Sequence, residues 1–355
     1  MSEMLRRAVH PGYYLNEYLE ETGLTQDEFS KRLGISGKQV SLILAGSASI
    51  TPDIAHKLSN LIGTSPDMWL NLQNRYDIYK INKEAQEQFE EEKKIYKMID
   101  KNFLITLGII EEKDNIQEAI PKLRIASLVS SLTVHSKYDI HSFYRTSTSR
   151  EESIKNIVCK NVWVSIASNI ARKEEVGEFN EKKLVDSINI FRSMTLKNMS
   201  DFYPELKKTL SECGVIFVLL PTLKNSNING VVRWIGNNKV MMALNTWGAY
   251  NDKFWFSFFH ELKHVLQKHK RKMIVNDDNA MESIIECEAD NFAKEILIPS
   301  ESLDKLTGYD EESIRKFSTS IGIHPGIVVG RLQKEGKIEY SKFNYLKEKY
   351  EIEVK

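Results

Sequence analysis

The sequence predicts a mostly α-helical protein with a small antiparallel β-sheet, an α+β arrangement with an all-α domain at its amino-terminal end. Three observations predict it. Short apolar-periodic segments punctuated by Gly and Pro fill residues 1–77. Three runs rich in Val, Ile and aromatics, VIFVLL, VVRWI and KVMMAL, follow Cys213 with Asn- and Gly-rich turns between them. Beyond them, a His-Glu-x-x-His pattern lies in a segment of helical periodicity.

Taken in order, residues 1–77 form a compact helical domain. From about Arg75 to Met98 a strongly charged stretch, with Ile and Tyr at helical spacing, predicts an exposed amphipathic helix. Residues 78–205 read as a helical connector without an assigned role, 206–345 as a second domain containing the sheet, and 346–355 as a tail. No internal repeat stands out.

Composition limits the function classes. A chain of 355 residues holds two or three domains. Lys and Arg total 49, as do Asp and Glu, which excludes a generally basic coat for nucleic acid but not a local reading element. Three widely spaced cysteines, Cys159, Cys213 and Cys287, form neither a disulfide framework nor a CxxC knuckle, so a reducing, cytoplasmic setting is expected, with Cys287 packed. The start shows no signal-peptide pattern. No apolar run approaches the ~20 residues of a membrane span.

Within the first domain, Thr25 can cap a helix through Leu33, with Glu28 completing a capping box. Gly34 then allows a tight turn, and Ser36 can cap the next helix, which Gly46 ends. Two short helices around a Gly-containing turn make a helix-turn-helix, whose second helix enters the major groove. Its exposed start carries Gly37, Lys38, Gln39 and Ser41; Gln pairs with adenine, and Lys reaches guanine or phosphate. Gln26 and the capping Ser36 are candidates for the backbone. The same arithmetic also fits a small protein-interaction bundle. Residues 1–77 hold 7 Lys/Arg against 9 Asp/Glu, so Lys31, Arg32, Lys38 and Lys57 would have to share one face. HPGYYLNEYLEETGLTQDEFSKRLGIS, the ILAG turn, the following SIT and TSPDMWLNLQNRYD resemble the Xre/HigA-type antitoxin repressors over roughly residues 8–77. The resemblance implies a double-stranded DNA operator as partner, and helix-turn-helix proteins usually bind as two-fold homodimers.

In FWFSFFHELKHVLQ, His260 and His264 lie one helical turn apart and can reach one metal ion. Glu261 beside them can act as general base toward a water. A third ligand is needed, and Glu282, Glu286, Glu288 and Asp290 are the acidic candidates downstream. Glu286 is favoured, because Asp290 then shares its face and can hydrogen-bond the far nitrogen of a liganding histidine. The metal expected is Zn2+, with Mn2+ as the alternative. A solvated charged face with two incidental histidines is the bland reading. Tyr250 and His324 are candidate oxyanion helpers, although each is more often structural. VVRWI could pair with an extended substrate by strand addition.

The three strands, DKFWFSFFHELKHVL, ECEADNFAKEILIP and IGIHPGIVVGRLQKEG resemble the ImmA/IrrE family of gluzincin-type metallopeptidases over roughly residues 205–345. This implies a zincin-like metallopeptidase domain cleaving a protein substrate, often an Xre-type repressor, in a stress, mobile-element or toxin–antitoxin response. The alternative is a HigA-like antitoxin or transcriptional repressor whose zinc-binding fold is a non-catalytic scaffold.

Overall fold

The computed structural model describes residues 8–137, 153–235, 238–245, 250–267 and 278–350. The first seven residues, on which the expectation about a leader peptide partly rests, lie outside them. The chain forms two compact units, Met1–Glu91 and Glu92–Lys355. Among the described residues no helix is long and apolar enough to cross a membrane.

The first unit contains α1 (Gly12–Thr22), α2 (Gln26–Leu33), α3 (Gly37–Leu44), α4 (Pro52–Ile62) and most of α5 (Pro66–Tyr96). Caps set the boundaries. The side chains of Thr25, Ser36 and Thr51 accept the backbone N–H of Glu28, Gln39 and Ile54, satisfying donors that a helix start leaves open. The reciprocal half of the expected capping box does not form. Glu28 pairs with Arg32 at 2.6 Å, one turn along the same helix. Leu15, Phe29, Val40, Ile43, Ile54 and Leu58 make the core.

The second unit continues with α6 (Lys101–Thr106), α7 (Ile116–Ser127), α8 (Val134–Lys137), α9 (Ile154–Arg172), α10 (Glu181–Asp186), α11 (Ile188–Ser193) and α12 (Met199–Glu212). Then come β1 (Val215–Leu219), β2 (Gly230–Ile235), β3 (Lys239–Leu244) and α13 (Asn251–Leu266). The last elements are α14 (Asp278–Leu297), α15 (Ser300–Leu303), α16 (Glu311–Ile321) and α17 (Pro325–Lys334).

The α+β class stands, but the sheet is mixed. Its order is β1-β3-β2: β2 and β3 pair antiparallel, while β1 joins β3 in parallel, with Val215 opposite Val240. The Asn-rich stretch after β1 therefore leads across to the far edge and is not a hairpin. The reason lies in burial. All five residues of β1 are buried, as in strands covered on both faces, and such strands accept parallel neighbours. Helices α9 and α12 pack on β1, and α13 packs on β2 and β3.

One hydrophobic core runs from Leu184, Phe191 and Phe202 through the sheet to Phe258 and Leu332. Packing is thus continuous across the boundary expected at residues 205/206, and the division between compact units falls at Glu91/Glu92.

Superposing the sequence on these elements reveals a repeat that periodicity alone did not show. Residues 29–44 and 317–332 align without a gap and share Phe, Ser, Gly, Ile, Val and Leu at six positions. Both are helix–turn–helix pairs. Gly34 and Gly322 each take a left-handed conformation (φ 69° and 66°) that a side chain would strain. Ile35 N–H bonds Ser30 O, and Ile323 N–H bonds Ser318 O, at 3.2 and 3.1 Å. Even the seryl hydroxyls match, each donating three residues back, to Asp27 O and Arg315 O at 2.8 Å.

Candidate metal centre and nucleic-acid interface

Helix α13 buries Phe254, Trp255, Phe258, Phe259, Leu262 and Val265 in the core, and that packing decides which way its polar residues point. His260 and His264 emerge together, with their Nε2 atoms 3.0 Å apart. From α14, Glu286 places one carboxylate oxygen 3.2 Å from His260 Nε2 and the other 3.3 Å from His264 Nε2. These three residues are the ones among the described residues whose ligand atoms cluster as a metal site would need. Tetrahedral zinc with bonds of about 2.0–2.1 Å holds its ligand atoms about 3.3 Å apart, so the donor set fits that ion.

The surroundings are equally specific. Asp290, one turn beyond Glu286, accepts a hydrogen bond from His260 Nδ1 at 2.9 Å. Burial lowers the His260 pKa, but hydrogen bonds to Asp290 and Glu286 and the charges of Glu261 and Glu286 outweigh it and raise the value to about 10. Burial would likewise raise the Glu286 carboxyl, yet the two histidines hold it well below the usual carboxylate range.

Glu261 is 7% exposed and faces β2. A Cβ on residue 230 would stand 2.5 Å from Glu261 Cγ and 2.7 Å from its Oε1. Only glycine leaves that space, so Gly230 at the start of the edge strand makes room for the carboxylate. Sequence reasoning missed Gly230 as well as Gln267. The latter, three residues after His264, accepts a hydrogen bond at 3.0 Å from that residue's Nδ1. A Gln one turn past a HExxH is a signal that helical spacing could have supplied; the Gly230 contact joins separate elements and has no local signal.

Two expected helpers are not brought to the centre. Tyr250 precedes α13, ten residues before His260, about 15 Å away along the axis at ~1.5 Å per residue. His324 caps α17: its Nδ1 accepts from Gly326 N at 3.1 Å and pairs with Asn251 Nδ2 at 2.6 Å, at that same far end of α13. Burial lowers its pKa, with the charge of Arg315 adding to the effect. Sequence proximity to the motif misled, because a helix carries its first and tenth residues far apart. Glu288, weighed as a ligand, instead accepts from Gln267 Nε2 at 3.0 Å. The side chain of Glu282 lies outside the described residues. Cys287 is exposed rather than packed, because it lies on the outer side of α14.

In the first unit, Gln26, Ser36, Gly37, Lys38, Gln39 and Ser41 are all exposed. The cations expected to gather beside them are mostly neutralised: Lys31, Arg32 and Lys57 pair with Asp27, Glu28 and Asp53 across single helical turns. Lys38 has no ion pair among the described residues.

Fold and site together define a helix-turn-helix regulator whose second unit carries a donor set of the kind that holds a metal ion. Residues 15–69 match the helix-turn-helix family model, and residues 216–332 match the IrrE N-terminal-like domain of the peptidase M78 family. The chain belongs to the helix-turn-helix transcriptional regulators and carries an IrrE N-terminal-like domain in the same polypeptide. It is 41% identical over 73 residues to the uncharacterized HTH-type transcriptional regulator YddM of Escherichia coli K12, covering 21% of this chain and 78% of the relative. It is 32% identical over 89 residues to antitoxin HigA-1 of Vibrio cholerae, covering 25% of this chain and 84% of the relative. A solved HigA-family addiction module antidote protein from Coxiella burnetii is 38% identical, covering 24% of this chain and 94% of that one, with a TM-score of 0.23.

Proposed function

We propose that this chain is an operator-binding regulator whose second unit is a zinc-dependent endopeptidase, cleaving a repressor or another regulatory protein in a stress, mobile-element or toxin–antitoxin response. The observation that carries the peptidase reading is the convergence of His260, His264 and Glu286 with Glu261 on the same helix as the histidines. His260, His264 and Glu286 would hold the zinc ion, with manganese as the alternative. When bound, the ion supplies Lewis-acid polarisation of a water and of the scissile carbonyl. Glu261 takes the proton of that water and delivers it to the leaving amine nitrogen. Asp290 keeps the Nδ1 proton on His260 and so leaves its Nε2 lone pair toward the ion. The edge strand β2 starts at Gly230, against Glu261, so a substrate added to that edge in extended form would run beside the general base.

Operator DNA would be read by Lys38, Gln39 and Ser41, with Gly37 at the close approach and Gln26 and Ser36 on phosphates. A homodimer would provide the second half-site. The substrate favoured is an Xre-type repressor; the chain's own connector, residues 78–205, is the second candidate. Purified protein incubated with zinc and Xre-type repressors should yield fragments that Glu261→Gln does not. Equal fragmentation by both proteins would sink the peptidase assignment.

A second reading, a HigA-like antitoxin or repressor with a non-catalytic metal scaffold, is favoured by the likeness of the first unit to antitoxin HigA-1. It expects operator binding and repression by Glu261→Gln to equal those of the unaltered protein.

A further inference from the structure

The two liganding histidines are held in different ways. His260 leans on an anion, Asp290, which is itself half exposed. His264 is 3% exposed and leans on a neutral amide, Gln267, which is 4% exposed. An amide can face a histidine with either end, so something must decide its orientation. Here the decision comes from α14. Gln267 Nε2 donates to the backbone carbonyl of Ile285 at 3.3 Å and to Glu288 Oε2 at 3.0 Å. Both partners are acceptors only, so the NH2 group must point at them and the carbonyl oxygen must point at His264. His264 Nδ1 then has to carry the proton, and its Nε2 has to present a lone pair toward Glu286 and His260.

We propose that Gln267, oriented by Glu288 and Ile285, is the positioning residue that presets His264 as a metal ligand before any ion arrives. This inference rests on the metal-centre reading above. It deepens that reading by assigning a role to Gln267 and by turning Glu288 from a rival ligand into the group that orients it. The same amide ties the end of α13 to the carbonyl immediately before Glu286, so the spacing between the histidine pair and the third ligand is set by protein contacts. A loss of Gln267 therefore changes both the tautomer of His264 and the separation of the ligands.

The test uses the full chain with metal removed, then loaded with zinc alone. In the metal-free protein, imidazole nitrogen NMR should report the Nδ1–H tautomer for His264. In Gln267→Leu, which has similar bulk and no polar atoms, that preference should be lost, and zinc affinity from chelator competition should fall about 10- to 100-fold. Gln267→Glu combined with Glu288→Gln keeps an acceptor for Nδ1–H and a donor–acceptor pair between positions 267 and 288, so the double variant should keep the tautomer and recover most of the affinity. Melting of each metal-free variant identifies any that fails to fold. Unchanged tautomer and affinity in Gln267→Leu would overturn the proposal, and so would an equal fall in both variants, which would mean that Gln267 only holds the helices together. None of these readouts depends on proteolysis, so a protein that orders His264 and binds zinc yet cleaves nothing would refute the peptidase reading alone.

Discussion

Two helix–turn–helix pairs in this chain share the Phe-Ser and Gly-Ile positions of their turns and differ in what surrounds the second helix. In α2–α3, positions 37, 38, 39 and 41 are exposed. In α16–α17 the aligned residues are Pro325, Gly326, Ile327 and Val329, of which the last three are buried. The corresponding surface of α17 packs against α13, the helix that bears the histidines. Phe29 and Phe317, Ser30 and Ser318, and Gly34 and Gly322 perform the same local work in both places. The comparison teaches that a turn specifies the angle between two helices, and that the chemistry of the outward positions decides whether the pair reads a ligand or supports a neighbour.

The largest expected effect is on stability. Val329→Asp places an unpaired charge in a fully buried position and should destabilise the second unit by roughly 3–5 kcal/mol. Ser41→Asp, at the aligned exposed position, should change stability by less than about 0.5 kcal/mol while repelling DNA phosphates. Thermal melts and operator gel shifts check the pair. Comparable melting losses at both sites would break the distinction between an outward and an inward helix.

Next in size is Gly230→Ala. The added methyl group meets Glu261 and displaces it, so cleavage should fall about 10²- to 10⁴-fold, the usual contribution of a general base, with zinc binding retained. Cleavage assays run beside zinc titrations measure this. Unaltered cleavage would remove Glu261 from the base role.

Smaller again, Gln39→Ala should weaken operator binding by roughly 1–3 kcal/mol and relax discrimination at one base pair, without moving the melting temperature. The matching change in the second pair, Ile327→Ala, should lower stability and leave operator affinity alone. Binding titrations against wild-type and single-base-substituted operators read the difference. The smallest effect belongs to Ser36→Ala, which deletes the hydroxyl that caps α3 and should cost about 1 kcal/mol in the first unit, visible as a lower melting temperature.

Much of the site was legible because its determinants are local. His260, Glu261 and His264 are neighbours on one helix, and so are Glu286 and Asp290; a period of ~3.6 residues is enough to face each set the right way. Legibility stopped where two elements meet. Gln267 and Glu288 act through an amide oriented by a different helix, and Gly230 matters because a strand crosses a side chain about thirty residues later. Tyr250 lies away from the centre because closeness along the chain is distance along a helix, and His324 because it caps α17 beside Asn251, at the same far end of α13.

By itself the sequence determined the caps and turn of the first helix–turn–helix pair, the helical phase of the histidines and the presence of three strands. Each depends on interactions within a few residues. Tertiary structure alone decided that β1 pairs in parallel, that one second helix is exposed and its counterpart buried, and that Gly230 and Gln267 stand against the donor set. Those outcomes depend on which surfaces exclude water from one another, and that is settled only when distant segments pack.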